Sequence, residues 1–152
     1  MAYSAVEIAA GFIKKGKAEK KPFSQMKLQC MVYYAHGYYL ALNKEPLFTE
    51  AIEAWEVGPA IQNVYGMYRL IDRLPVTEWP EDNLDIDYEP KVLQAIDAAW
   101  EAASQLTSDL FLKWATRKGS PWSKSYSPIQ WTLNIGNETI KDYFEKEVLK
   151  LA

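Results

Sequence analysis

The side chains able to act as nucleophile, general base or metal ligand are few. His36 is the only histidine and Cys30 the only cysteine of the 152 residues. They share one stretch of helical periodicity, where about 100° per residue places them roughly 240° apart, so they cannot form a Cys–His dyad. Cys30 reads as a small buried hydrophobe, and His36 as a partly buried polar residue rather than a ligand. One histidine and one cysteine give no metal-ligand spacing. The acid-rich stretch after Trp79 lacks the Asp-x-Asp-x-Asp-Gly order of a calcium loop, and no P-loop, GxGxxG or GxSxG occurs. Twenty acids could always supply a glycosidase-like pair, so a hydrolase with two carboxylates in a cleft stays an alternative, but no pair stands out. No catalytic residue, cofactor-binding residue or metal ligand is assigned, and the chain is expected to be non-enzymatic.

Charge and aromatics suggest binding instead. Lys14, Lys15, Lys17, Lys20, Lys21 and Lys27 cluster early, relieved only by Glu19, while Glu78, Glu81, Asp82, Asp85, Asp87 and Glu89 run without a base between them. The net charge of −3 denies the chain the overall positive field of a nucleic-acid binder, so the lysine run reads first as a solvated helix end and only second as a phosphate contact. The acidic stretch combines charge with aromatic anchors. It is read as a candidate contact for a basic partner surface through Trp79, Glu81, Asp82, Asp85, Asp87 and Tyr88, with a solvated loop as the plain alternative. Trp55 and Trp122, each beside a proline-bounded turn, are read as lids on the core or as partner anchors.

The elements that must position these residues follow from capping and periodicity. Ser4 and Glu7 form a capping box ahead of Ala5, Ile8, Ala9, Phe12 and Ile13, with Gly16 as the expected stop. Ser24 should cap a second helix to about Leu42, buried through Leu28, Met31, Val32, Ala35, Tyr39 and Leu42. Residues 51–56 read as a short strand, and Gly58-Pro59 as the start of a third helix with Ile61, Val64, Tyr65 and Tyr68 inward. After an irregular stretch over 75–90, Pro90 opens a helix buried through Leu93, Ile96, Trp100 and Ala103. Thr107 or Ser108 caps another, with Leu110, Phe111, Trp114 and Ala115 inward. Ser120-Pro121-Trp122 turns the chain, and past Trp131 and Leu133, Asn137 caps a last helix carrying Ile140, Tyr143, Phe144, Val148 and Leu151.

The fold class expected is mainly α: a compact single-domain bundle of about six helices over 1–152, with at most a small β element near residues 48–57. With 49% hydrophobic residues the chain can build a core without disulfides. A lone cysteine, no signal-peptide layout and no long apolar run point to a cytoplasmic protein without a membrane segment.

The densest pattern is LQCMVYYAHGYYLA at 28–41 followed by PLFTEAIEAWEVGPAI at 46–61, with Gly119-Ser120-Pro121-Trp122 and Tyr143-Phe144 later in the chain. In order and spacing these resemble the Panacea domain family of SocA-like antitoxins and phage-associated GepA-like proteins. The chain departs from the family pattern at Thr116, where histidine is common, at His36, where glutamine is usual, and at Cys30, where lysine is usual. The resemblance implies a protein that neutralises a co-encoded toxin by direct binding, and in SocA-like members delivers it to the ClpXP protease. Alternatives are a prophage-encoded protein that binds a host factor and a nucleic-acid-associated regulator. With its first helix starting near residue 5, the chain is expected to lack the extra DNA-binding segment found in some members.

Overall fold

The first helix, α1 (Ala5–Glu19), starts on the anticipated capping box. The Ser4 hydroxyl accepts the Glu7 amide at 3.1 Å, and the Glu7 carboxylate accepts the Ser4 amide at 2.8 Å. Gly16 does not stop this helix, which runs on to a left-handed Lys20 (φ 56°). Gly16 serves close packing instead. A Cβ there would lie 2.7 Å from the Trp79 ring and 2.9 Å from the Phe23 ring.

Helix α2 (Gln25–Asn43) is capped by Ser24, whose hydroxyl accepts the Lys27 amide. It is the central element, packing against α1, the sheet and the later helices. Burial on most sides explains why its apolar residues form no single stripe. Leu42, expected inside, points outward.

The sheet has the order β2-β1-β3 and is antiparallel throughout. Strand β1 (Ile52–Trp55) turns into β2 (Gly58–Ala60), with Trp55 paired to Gly58 across a two-residue loop. This corrects the helix start expected at Gly58-Pro59. Gly58 takes φ 138°, which L side chains rarely adopt, and a proline without an amide donor is tolerated on an edge strand. Strand β3 (Asn134–Ile135) was not anticipated, because two residues carry no periodicity of their own. It pairs Ile52 with Ile135.

Helix α3 (Gln62–Tyr68) buries Val64 and Tyr68 but leaves Tyr65 outside. Two short 3-10 turns, Ile71–Arg73 and Val76–Glu78, then lead to Trp79. Helix α4 (Pro90–Ser104) starts at proline as expected and packs Val92, Ala95, Ile96, Ala99 and Ala103 inward. Leu93 is turned out and Trp100 is half-buried. Thr107 caps α5 (Ser108–Thr116), which buries Phe111 and Ala115 while Leu110 is exposed. Where only a turn was expected, Ser120 caps the short α6 (Pro121–Ser125). Helix α7 (Asn137–Tyr143) follows Gly136 rather than an Asn137 cap, and continues into a π turn, Phe144–Val148. Its Phe144 lies in a ring cluster with Tyr33, Tyr34 and Trp114.

The computed structural model describes residues 3–81, 85–130 and 133–150. Among them the mainly helical fold expected from the sequence is observed, with seven α-helices and one three-stranded sheet. Asp82, Trp131 and Leu151 lie outside the described residues. No described helix is long and apolar enough to cross a membrane.

Candidate interaction surface

The hairpin carries an unusual polar anchor. Glu53 is buried on β1, and its Oε1 accepts the Trp55 indole N–H at 2.7 Å. The Gln62 amide donates to both carboxylate oxygens, at 3.1 and 2.9 Å. A buried carboxylate needs such donors to offset lost hydration, and here they also fix the indole orientation. From the other side the Trp122 indole donates to the Trp55 carbonyl at 2.6 Å, and Trp122 stacks on Tyr126 with centroids 4.5 Å apart. The structure thus brings Trp55 and Trp122 together.

A second anchor joins hairpin to helix. The Gln29 side chain clamps the Ile61 backbone in both directions, accepting its N–H at 2.9 Å and donating to its carbonyl at 3.2 Å. Between these anchors lies an open apolar cleft of about 280 Å³, lined by Met26, Gln29, Trp55, Val57, Ala60 and Tyr65. Gln25 also borders it, one turn before Gln29, and neither polar atom of its buried amide has a hydrogen-bond partner among the described residues. Trp55 meets Tyr65 edge-on at 5.4 Å. From the hairpin tip through α3 to the first 3-10 turn, Val57, Tyr65, Met67, Leu70 and Leu74 are all exposed. One exposed apolar residue is ordinary; here Val57 and Tyr65 border the cleft, and Met67, Leu70 and Leu74 are further exposed apolar residues along the same stretch.

The acidic connection is built differently. Trp79 is only 2% exposed, its ring 4.7 Å from Phe23. Its N–H donates to the carbonyls of Ile71 and Leu74, at 3.1 and 3.2 Å. The ring therefore closes the core and is not available as an anchor. Lys17 donates to the Trp79 carbonyl and to Glu81, both at 2.9 Å, and that bond holds the Glu81 carboxyl below its ordinary value. Tyr88 is half-buried, donating its hydroxyl to the Glu7 carbonyl and packing on Tyr3. Burial, with Glu7 adding, pushes that hydroxyl well above the usual tyrosine range. Asp85 and Asp87 are exposed. Among the described residues no hydrogen bond or ring contact joins Trp79, Glu81, Asp85, Asp87 or Tyr88 to Trp55 or Trp122. The seven described residues of the eight singled out from the sequence are thus not one site.

The candidate catalytic groups are sequestered. Burial pushes the Cys30 thiol up to about 12. His36 is buried against Phe48 and shares a 3.0 Å hydrogen bond with Asn137. Burial outweighs that bond and lowers its pKa to about 4. Among the described residues no group of three or more His, Cys, Asp or Glu could hold a metal ion.

The sequence signals for this surface were partial. Trp55 and Trp122 were picked out by their turns, whereas Val57, Tyr65 and the Gln29 clamp were not. The clamp spans 32 positions, which no local pattern can reveal.

The family model described as antitoxin SocA-like, Panacea domain, matches residues 28–123, from α2 through the hairpin to α6. Antitoxin SocA of Caulobacter vibrioides (strain NA1000 / CB15N) is 34% identical over 61 residues, covering 40% of this chain and 32% of that relative. The aligned stretch is therefore about a third of the relative's length. No solved structure matches the chain.

Proposed function

Because the chain belongs to the SocA-like Panacea family of antitoxins, we propose that it neutralises a co-encoded toxin by direct protein–protein contact. The contact is placed on the cleft and the exposed apolar run beside it, and residues 1–152 are taken to act as one unit. The observation that carries this reading is a Trp55 oriented by its bond to Glu53 beside exposed Val57 and Tyr65, with Met67, Leu70 and Leu74 exposed further along the stretch. Interfaces draw most of their affinity from a few such anchors in a desolvated centre. The exposed Asp85 and Asp87 add a negative field that would speed association with a basic toxin without touching it. Delivery of the bound toxin to a ClpXP-type protease is the finer form of the proposal.

Co-expression tests it. The product of a neighbouring reading frame should arrest growth, and this chain should relieve the arrest. Val57→Asp with Tyr65→Asp should abolish relief and binding while leaving the unfolding midpoint close to wild type, since both side chains are exposed. Full relief by that double variant would remove the surface from the proposal, and the absence of any neutralised product would remove the function. Toxin half-life in cells with and without the protease separates delivery from simple blocking. In stopped-flow binding, Asp85→Ser with Asp87→Ser should slow association several-fold and flatten its salt dependence, leaving dissociation unchanged.

A further inference from the structure

We propose that the groove between the α1–α2 connection and α4, ringed by Lys20, Lys21 and Lys27, binds an acidic segment of a protein partner that sets an apolar side chain beside its carboxylates. The groove encloses about 330 Å³, over a floor that includes Phe23, Met31 and Trp100. No acidic residue lines it, although the chain as a whole carries a net charge of −3.

The fold neutralises lysines nearby and not these. Lys15 pairs with Asp97 at 2.8 Å and Lys17 with Glu81 at 2.9 Å. At the groove, Lys20 and Lys27 have no ion pair among the described residues, and Lys21 has only a loose one with Glu19 at 3.6 Å, both ends exposed. The Lys27 ammonium is anchored to the Leu106 carbonyl at 2.9 Å, which fixes its position without cancelling its charge. It also stands in the first turn of α2, where no acid occurs and the helix dipole favours an anion. Burial and the adjacent Lys21 lower the Lys27 pKa, the cost of holding like charges together at a partly dry site. A carboxylate placed among the three would relieve that repulsion.

The chemistry of the groove selects the occupant. Its cations are all lysines, and no arginine fork is present to grip a phosphodiester in two bonds. The half-buried Trp100 meets the buried Phe23 edge-on at 6.1 Å, and its uncovered part offers an apolar contact to an aliphatic or aromatic side chain. An acidic peptide with such a residue satisfies both halves, and a nucleic-acid strand satisfies only the charge.

The test uses the full chain and a fluorescein-labelled peptide alternating Glu with Phe and Leu, read by anisotropy. Binding should weaken several-fold as salt rises from about 50 to 200 mM. Lys20→Glu with Lys21→Glu should weaken it on the order of tenfold or more, and Lys20→Gln with Lys21→Gln by less. Both lysines are exposed, so these variants should unfold at the wild-type midpoint. Val57→Asp, on the proposed toxin surface, should leave peptide binding intact, which separates this site from that reading. The proposal is overturned if the peptide fails to bind, if a Gln-for-Glu peptide binds as well, if the charge-reversed variant binds as wild type, or if a mixed-sequence single-stranded oligonucleotide binds more tightly.

Discussion

Trp79 closes one side of the molecule, while Trp55 leaves another side open. Each stands within a few residues of a proline, Pro80 and Pro59. The Trp79 ring lies against Gly16, which presents no side chain, and its N–H meets two backbone carbonyls that the 3-10 turns bring together. Every part of the indole is thus satisfied by the chain itself. Trp55 is held by its N–H to Glu53 and by its carbonyl to Trp122, but one border of its ring is an open cleft. Polar fixation without apolar coverage is what a preformed contact residue requires, since its rotamer is ordered before the partner arrives. Polar fixation with full coverage makes a core residue.

Paired truncations put the largest strain on that comparison. Trp79→Ala should cost about 3–5 kcal/mol of unfolding free energy, the loss typical of a large buried aromatic, and leave toxin affinity unchanged in whatever fraction folds. Trp55→Ala should cost about 1–2 kcal/mol, because the Glu53 carboxylate keeps its Gln62 donors, and should abolish toxin binding. Urea unfolding and titration of the partner on both variants measure the two quantities. Equal losses of stability would erase the distinction between a closed and an open side.

This distinction explains how far the sequence could be read. Signals confined to one helix were legible: the Ser4–Glu7 box, the Ser24 cap, the apolar density of α2 and Pro90 at the start of α4. Elements that exist only through a distant partner were not. Strand β3 is two residues long and depends on β1, and Gly58-Pro59 could open a helix or an edge strand until that hairpin is known. Trp79 looked like an anchor because an acidic, proline-rich stretch reads as solvated. Its burial depends on Gly16, 63 positions earlier, a residue whose place in the sequence suggests a helix stop. Trp55 and Trp122 stand out in the sequence by their turns, but the exposure of Val57 depends on the hairpin and that of Tyr65 on where α3 starts.

Farther along α2, which floors the open cleft, His36 shows what a buried polar group costs when its satisfaction is incomplete. Its Nε2 is bonded to Asn137, yet its Nδ1 has no hydrogen-bond partner among the described residues. The folded-state pKa, about 4, lies below the ordinary 6.5, so between these values the unfolded chain takes up a proton that the folded chain refuses. Stability from this group is full above pH 6.5 and is lost as pH falls towards 4, with a total of roughly 3 kcal/mol. His36→Gln, the side chain usual in the family, should remove this component. The difference between wild-type and variant unfolding free energies, followed from pH 7 to 4, should slope accordingly. A flat difference would mean that the imidazole is not buried neutral, and that α2 is looser at this point than its packing implies.

The finest division between satisfied and unsatisfied groups lies within the open side, one helical turn apart. Gln29 spends its amide on the Ile61 backbone, while the buried amide of Gln25 has no hydrogen-bond partner among the described residues. The two should respond to the same substitution with opposite signs. Gln29→Met strands the amide and carbonyl of Ile61 and should destabilise the fold by about 1–3 kcal/mol. Gln25→Met keeps nearly the same shape and removes a desolvated amide, so it should stabilise by about 1 kcal/mol, read as a higher urea midpoint with an unchanged slope. If Gln25→Met instead destabilises, the amide has a stabilising role in the folded chain, and the border of the cleft is as complete as the wall that Trp79 closes. If it stabilises, the cleft carries a polar group that the fold by itself does not need.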